Sequence, residues 1–330
     1  MTGVEARPRS LAVTTGREIE QALHRGGLTL DVGLATLRVR SDVAAFAPQL
    51  QAAYRHFPFV TNGPWADLHV DLMHPRGLRR WVRPQVRFRC DSQEPFDPFP
   101  ADTALPLMEW GANWLIGRRM NDMLLLHAGV VERDGLALVM PAMPGSGKST
   151  LTAALSLRGW RLLSDEFGAF DLSRRQFLPV LKPVALKNES IRVIRRFAPE
   201  AELGPEFPKT RKGTVAHLAA APGAVARVHE PAQAGCIVLP RWQAGSATRW
   251  EPLQERVVFS ALAFNAFNYA VTGSAGFTAV VQLVRQCPAW ELVYSDLDDA
   301  LGTIAAAWPQ VVAQSRARAA TAVPAEHGTG

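Results

Sequence analysis

The first hundred residues alternate apolar and polar side chains in several short stretches, which is the pattern of strands that are buried on one face. The alternation is clearest in residues 28–40 ("LTLDVGLATLRVR"), 66–74 ("ADLHVDLMH") and 85–90 ("QVRFRC"). A helical spacing of apolar residues lies between the first two stretches, in "DVAAFAPQLQAAYRHF". We therefore predict a small α+β domain over residues 1–104, in which no chemical motif stands out.

A linker rich in Pro and Asp (91–106) separates this region from longer elements. A helix is predicted near 107–119, followed by a hairpin with strands 123–133 and 136–142 and a turn at Asp134 and Gly135. Further elements follow: strands near 183–186, 236–240 and 290–295, helices near 189–197, 254–270, 275–285 and 296–307, and a loop-rich section up to about 235. This order predicts an α/β domain over 105–310 and a flexible tail over 311–330.

A glycine-rich segment connects the second strand of the hairpin to a helical pattern. It reads "AMPGSGKS" (142–149), with Ala142 where the usual phosphate-loop pattern has its first glycine. Gly145 and Gly147 permit a tight turn whose N–H groups can surround a phosphate, Lys148 adds positive charge, and the Ser149 hydroxyl can bind Mg²⁺. The order strand, loop, helix is the context that this function requires. We predict a nucleotide site formed by Pro144, Gly145, Ser146, Gly147, Lys148, Ser149 and Thr150.

An acidic pair follows the helix after the glycine loop. Gly159 ends that helix, and residues 161–171 ("RLLSDEFGAFD") indicate a strand that ends at Asp165 and Glu166. One carboxylate could bind Mg²⁺ together with Ser149, and the other could accept the proton of an attacking hydroxyl. The alternative is a hairpin that carries two solvated acids.

A histidine, His127, lies in the apolar strand that precedes the loop. Spacing alone does not distinguish a catalytic histidine at this position from one that is satisfied within the core.

The stretch from residue 127 to about 200 resembles the HPr kinase/phosphorylase family, and more closely the HPr-kinase-related proteins found outside the sugar-transport system. The family pattern is a histidine in a strand, a short hairpin, a G-x-S-G-x-G-K-S loop, a helix and then "RGHRLVADD". This chain has His127, the hairpin turn at Asp134 and Gly135, the glycine loop, the helix and "RGWRLLSDE" (158–166). The N-terminal hundred residues do not resemble the regulatory domain of the family.

The resemblance implies a P-loop kinase fold and roles for individual residues. Glu166 occupies the position of the family's general-base aspartate, Asp165 the preceding acid, and His127 would orient the base. Two further residues, Lys187 and Asn188, would lie near the nucleotide or the acceptor, as in related kinases.

The match also has departures from the family pattern. The base position holds a glutamate, so either Asp165 or Glu166 could take the proton. In "VALKNESI", Ala185 stands where the family has a metal-ligand glutamate, and this puts a reverse phosphorolysis reaction in question.

The composition and net charge of the chain limit the classes of partner that it can be expected to bind. The 330 residues are 48% hydrophobic and carry a net charge of +6, which favours anionic partners. The most basic run is "RGLRRWVRPQVRFR" (76–89), which is typical of an edge strand with a solvated face and, less often, of a single-strand nucleic-acid platform. Three separated cysteines allow no CxxC pair, and no signal peptide or membrane span is evident. We expect a cytoplasmic protein with no membrane partner.

These observations give a leading function and three alternatives. The leading one is a kinase that uses Mg²⁺ and ATP to phosphorylate a hydroxyl, such as a serine of a protein or peptide. The alternatives are a nucleotide-gated binding protein, a small-molecule kinase and, less favoured, a nucleic-acid binder. The sequence leaves the oligomeric state open, a homo-oligomer included.

Overall fold

A computed structural model describes residues 9–61, 63, 65–143 and 145–321 of the chain. Its strands are β1 (Arg9–Ser10), β2 (Leu28–Asp31), β3 (Thr36–Ser41), β4 (Pro58–Thr61), β5 (Leu68–Met73), β6 (Gln85–Arg89), β7 (Phe99–Pro100), β8 (Met123–Arg133), β9 (Leu136–Pro141), β10 (Arg161–Ser164), β11 (Phe167–Asp171), β12 (Gln176–Leu178), β13 (Val184–Lys187), β14 (Phe207–Thr210), β15 (Gly213–Leu218), β16 (Ala232–Trp242), β17 (Arg249–Pro252) and β18 (Ala289–Tyr294). Its helices are α1 (Gly16–Arg25), α2 (Phe46–Ala53), α3 (Ala104–Arg119), α4 (Lys148–Leu157), α5 (Glu189–Phe197), α6 (Pro222–Ala226), α7 (Glu255–Phe264), α8 (Tyr269–Gln286) and α9 (Leu297–Thr321).

Contacts divide the chain into two units, and both are discontinuous in sequence. The first unit comprises Met1–Met120, Arg161–Asp165 and Pro179–Glu230, and the second comprises Asn121–Trp160, Glu166–Leu178 and Pro231–Gly330. The mixed α/β class expected from the sequence is present, with helices and several sheets. Helix α3, which the sequence analysis assigns to the second domain, lies in the first unit.

The first unit contains two sheets. The larger has the strand order β1-β4-β2-β3-β5-β6-β7, in which only β3 and β5 are parallel among the pairings described. Its strands alternate buried and partly exposed residues, for example in β5, as the sequence pattern predicts. The smaller sheet has the order β13-β15-β14. The N-terminal region is therefore α+β, but it also incorporates chain from 179–230.

The second unit is built around three parallel neighbours, β9, β16 and β18. Strand β8 pairs with β11 through its first half and with β9 through its second half. Helix α4 packs against β8 at Gly129, where a Cβ atom would lie 2.2 Å from the Thr152 hydroxyl oxygen. Since glycine has no side chain, the helix can approach the strand closely.

Several expectations need correction. Helix α1 was not predicted, although Thr15 and Glu18 form a capping box at its start. The section before residue 235, expected to be loop-rich, contains β14, β15 and α6. The tail predicted over 311–330 is wrong for its first part, because α9 continues through Pro309 to residue 321.

Among the residues that the structure describes, no helix is both long enough and apolar enough to cross a membrane.

Candidate functional site

The glycine loop follows the end of β9 and leads directly into α4. Gly145 and Gly147 have φ angles of 88° and 89°, in the left-handed region that favours glycine. Gly147 is the residue that precedes the first helical position, Lys148. The N–H groups of the first turn of a helix have no carbonyl partner within that helix, and the helix dipole places positive potential there. The loop therefore has the local geometry of an anion-binding turn.

Two aromatic residues at the carboxyl ends of β16 and β18 anchor this loop. The main-chain N–H of Trp242 donates to the Ser146 carbonyl at 2.9 Å. The side-chain hydroxyl of Tyr294 donates to the Gly147 carbonyl at 3.1 Å. Trp242 and Tyr294 are themselves partners in the parallel pairing of the two strands. Burial raises the pKa of Tyr294, which keeps its hydroxyl protonated as a donor. The loop is thus fixed at the edge formed by the carboxyl ends of the parallel strands β9, β16 and β18, and the carboxyl ends of parallel strands are a common place for ligands to bind.

The pairing of β8 with β9 brings His127 to the same edge. Pro141, the last residue of β9, pairs with Ala128, so the loop begins at the level of His127. Side chains two apart on a strand share a face, so the imidazole lies on the face of β8 to which Gly129 belongs. That face is the one covered by α4, as the contact between Gly129 and Thr152 shows. His127 and the glycine loop therefore share one end and one face of the second unit.

Glu166 lies beside His127 because β11 pairs with β8. Phe167, the first residue of β11, is the direct partner of His127. The Nε2 atom of His127 and the Oε2 atom of Glu166 are 3.6 Å apart, and about a quarter of each side chain is exposed (26% and 25%). This distance is longer than a hydrogen bond but within ion-pair range. The pair is thus accessible and arranged so that an imidazole can orient or polarise a carboxylate.

The connection between α7 and α8 runs along the edge of β8 opposite β11 and is bonded to that edge. The His127 N–H donates to the Asn265 carbonyl at 2.6 Å, and the Asn268 side chain accepts from the Leu125 N–H at 3.0 Å. These bonds hold Phe267 edge-to-face against the His127 ring, with centroids 5.6 Å apart. Phe267 also contacts Phe167. The main chain of His127 is therefore fixed by hydrogen bonds, and its imidazole lies against an aromatic ring.

The chemistry of the loop is suited to a polyphosphate. The Ser146 hydroxyl oxygen is buried and has no hydrogen-bond partner among the described residues. A buried hydroxyl without a partner is uncommon in proteins, and an anionic ligand in the loop would supply an acceptor. Lys148 is only 7% exposed, so its charge is held inside the unit. Among the described residues, no group of three or more His, Cys, Asp or Glu is arranged to hold a metal ion. A Mg²⁺ bound with a nucleotide commonly uses only one or two protein ligands, so this set does not conflict with such a site.

The structure places the predicted site residues in different units. His127, Glu166 and the loop residues Gly145, Ser146, Gly147, Lys148, Ser149 and Thr150 belong to the second unit. Asp165, Lys187 and Asn188 belong to the first, and Pro144 lies outside the described residues. Asp165 is 5% exposed and directly precedes Glu166 in the chain.

Asn188 has a structural explanation within the first unit. Its side-chain Oδ1 accepts from the Thr214 N–H at 3.0 Å, and its own N–H donates to the Thr214 carbonyl at 2.9 Å. A Cβ atom at Gly213 would lie 2.4 Å from the same oxygen. The amide therefore holds the turn between β14 and β15, and a role at a nucleotide stays a prediction for Asn188 and Lys187.

A buried polar cluster also lies in the first unit, and Lys182 is part of it. The Lys182 ammonium is 3.0 Å from the Glu109 carboxylate and donates to Asn113 as well. Glu109 accepts a hydrogen bond from Tyr54. Burial and the charge of Glu109 both raise the pKa of Tyr54. A cation held this way neutralises a buried carboxylate, so Lys182 has a structural role and is not a solvated surface lysine.

Sequence reasoning missed the residues that hold the site from a distance. None of the four residues that make these contacts carries a motif, and each reaches the loop or His127 across more than ninety residues: Trp242, Tyr294, Asn265 and Phe267. The strands near 236–240 and 290–295 were predicted, but not that their ends meet the glycine loop.

Comparison with known proteins does not assign the chain to a family. No protein-family model matches it, and no curated protein sequence matches it.

Proposed function

We propose that the protein is an ATP-dependent kinase that phosphorylates a hydroxyl of a protein or peptide. The observation that carries the proposal is the position of the His127–Glu166 pair, on the same edge and face of one unit as a glycine loop that opens a helix. A phosphate-binding turn and a carboxylate with an orienting imidazole are the two components that hydroxyl phosphorylation needs from a protein. The P-loop, HPr-kinase-like fold suggested by the sequence is part of this proposal.

The residues divide the work as follows. The N–H groups of the loop and of the first turn of α4, together with Lys148, would hold the polyphosphate. Ser149 would be a Mg²⁺ ligand, and a metal-binding role for Asp165 stays a prediction from the sequence. When bound, Mg²⁺-ATP supplies a transferable phosphoryl group whose charge is partly neutralised. Glu166 would accept the proton of the incoming hydroxyl, and His127 would keep that carboxylate oriented.

Incubation with γ-labelled ATP and candidate acceptors tests this function. We expect transfer to a polypeptide by the wild-type chain and none by Lys148→Ala. For Glu166→Gln we expect a loss of about 10²–10⁴-fold, the usual contribution of a general base. Asp165→Asn assayed at several Mg²⁺ concentrations separates the two acids, since a metal ligand shifts the Mg²⁺ dependence and a base does not. Arg192→Ala, an exposed position on α5, is the control.

Two results would redirect the proposal. Tight ATP binding without transfer to any polypeptide, sugar or small alcohol would contradict a kinase function. Labelling of a low-mass compound in extract while proteins stay unlabelled would identify a small-molecule kinase.

A nucleotide-gated binding protein is the second candidate. Ala185, at the position of the related kinases' metal-ligand glutamate, lies in β13 opposite His217 and offers no ligand atom from its side chain. Under this function Glu166→Gln leaves ATP-dependent capture of a partner intact. Comparing proteins that co-purify with the wild-type chain and with Lys148→Ala, in the presence of ATP, reveals such a partner.

A further inference from the structure

The connection between β5 and β6 is a formed loop that the kinase proposal does not use. We name residues 75–84 the arginine loop. The His74 ring and the Gln85 carbonyl are hydrogen-bonded across its base at 2.8 Å. Within it, the N–H groups of Trp81 and Val82 donate to the Leu78 carbonyl at 3.0 and 2.8 Å. The loop therefore has a defined shape, which sets the direction of its side chains.

Large apolar side chains project from this loop into solvent. Leu78, Trp81 and Val82 are 80%, 77% and 61% exposed. Scattered exposed apolar residues are ordinary, but three within five consecutive positions form a local patch, and such patches mark binding surfaces. No packing requirement of the first unit explains them, because their side chains contribute little to its core.

The arginines of the run fall into two groups. Those on β6 are neutralised, since Arg87 pairs with Glu94 at 3.2 Å and Arg89 with Asp71 at 2.8 Å. On the loop, Arg80 is 3.6 Å from Asp42, and its guanidinium lies 5.7 Å from the Trp81 ring centroid. The remaining loop arginines form no ion pair with any residue that the structure describes: Arg76, Arg79 and Arg83. The tip of the loop is thus both apolar and positively charged.

We propose that the arginine loop docks the protein on a membrane surface that contains anionic lipid. Apolar side chains that protrude from a tight turn can enter the boundary between headgroups and acyl chains, and Trp favours that boundary. The flanking arginines would contact lipid phosphates. A cavity of about 500 Å³ lies beside the loop, lined by residues that include Arg76, Arg80 and Trp81, and it offers space for a headgroup.

The same observations weigh against a nucleic acid. A single-strand platform stacks successive bases on several aromatic rings, whereas this loop exposes one ring together with two aliphatic side chains. The proposal changes the expectation of no membrane partner, since surface docking needs no spanning helix. It is independent of the kinase proposal.

Sedimentation of the full-length protein with vesicles tests the docking. We expect binding to vesicles of phosphatidylglycerol and phosphatidylcholine, weaker binding to phosphatidylcholine alone, and weakening as salt rises. Leu78→Ala/Trp81→Ala should lower the partition coefficient at least 10-fold on the anionic vesicles. Each of Arg76→Ala, Arg79→Ala and Arg83→Ala should lower it about 5-fold.

Matched controls make the test specific. Trp65→Ala removes another exposed Trp of the first unit, which precedes β5 whereas the loop follows it, and should leave binding unchanged. Circular dichroism shows whether each variant is folded, and Trp81→Phe should restore part of the binding. Absence of vesicle binding, or binding that the loop variants do not reduce, would overturn the proposal. Binding of single-stranded RNA or an acidic polypeptide through Leu78 and Trp81, without vesicle binding, would overturn it too.

Discussion

Gly147 shows how closely the glycine loop is packed. Its φ angle of 89° is unfavourable for any residue with a side chain. A Cβ atom would also lie 2.4 Å from the Tyr294 hydroxyl oxygen and 3.0 Å from the Trp242 Cβ atom. Gly145 has nearly the same φ angle but open space around it. Substitutions at the two glycines can therefore distinguish the cost of backbone strain, which both share, from the cost of steric overlap, which arises only at Gly147.

We expect Gly147→Ala to destabilise the protein more than Gly145→Ala. Gly145→Ala should cost about 1 kcal/mol through backbone strain alone. Gly147→Ala should cost at least about 1 kcal/mol more, because the methyl group displaces Tyr294. Denaturant unfolding measures both. Equal losses would show that the Tyr294 contact imposes no constraint, and Gly147→Ala/Tyr294→Phe should recover part of the difference.

His217 gives the first unit a dependence of stability on pH. Burial lowers its pKa to about 4, with Lys182 acting in the same sense and Glu109 in the opposite one. The unfolded chain binds a proton near pH 6.5, whereas the folded chain does so only near pH 4. Stability from this group is therefore complete above pH 6.5 and is lost as the pH falls towards 4, by about 3 kcal/mol in total.

We expect His217→Leu to flatten this dependence. The free energy of unfolding of the wild-type chain should fall more between pH 7 and pH 4.5 than that of the variant, measured by denaturant titration. His24→Leu, at an exposed position of α1, is the matched control. The same slope for His217→Leu and wild type would contradict neutral burial of His217.

At this scale the sequence predicts residues whose chemistry is local. The local sequence after the strand β9 predicts both a turn and a positive charge, from Gly145, Gly147 and Lys148. Tyr294 and Phe267 could not be predicted, because each acts through a contact with a residue far away in the chain. An ordinary aromatic residue in an ordinary strand or loop carries no sign of such a contact.

At the scale of elements, the position of α4 depends on Gly129. We expect Gly129→Ala to cost about 1–3 kcal/mol, because its methyl group would push the Thr152 hydroxyl and the helix away from β8. Thr152→Ala in the same chain should remove much of this cost, which a double-mutant cycle in thermal or denaturant unfolding quantifies.

Gly302→Ala is a control substitution that we expect to stabilise the protein, whereas Gly129→Ala should destabilise it. Gly302 lies within α9, is exposed and has nothing within 4 Å of a Cβ atom. Gly302→Ala should therefore raise stability by about 0.5–1 kcal/mol through helix propensity. If Gly129→Ala is instead as stable as the wild-type chain, the prediction for Gly129 is wrong, and α4 tolerates a wider separation from β8.

Elements with strong periodicity were predicted well, and others were not. The hairpin strands β8 and β9 lie within a residue of the expected positions, and so does α5. Helix α1 was missed, although Ile19, Ala22 and Leu23 have helical spacing and its capping box was readable. Strands β14 and β15 form the smaller sheet of the first unit with β13, and polar residues and glycine interrupt their apolar pattern.

At the scale of the whole molecule, the last helix belongs to the second unit along its described length. Val311 is 1% exposed, Ser315 is 4% exposed, and the Ser315 hydroxyl donates to the Gly235 carbonyl. Trp308 donates to Asp134 at 2.8 Å. The sequence could not predict this, because Pro309 and the Ala- and Arg-rich composition after it favour the end of a helix.

We expect a chain ending after Gln310 to be less stable than one ending after Thr321. The difference should be about 2–4 kcal/mol, from the loss of a buried valine and a buried hydrogen bond. Denaturant unfolding of the two truncated proteins measures it. Equal stability would mean that residues 311–321 do not contribute to the second unit.

The division into units could not be predicted from the order of elements. Residues 161–165 and 179–230 belong with the N-terminal region, although they follow the glycine loop in sequence. Linker composition indicates where the chain changes character, but it does not indicate which distant segments pack together. The boundary predicted near residue 104 rests on composition alone.

The bond from the Trp242 peptide nitrogen to the Ser146 carbonyl has a consequence for how the protein can evolve. Any amino acid except proline provides that nitrogen, so substitutions at position 242 can alter the aromatic surface next to the loop without releasing it. Trp242 is 51% exposed, so a different residue there would present a different surface to solvent. The side chain beside the loop and the shape of the turn can therefore vary independently across a lineage.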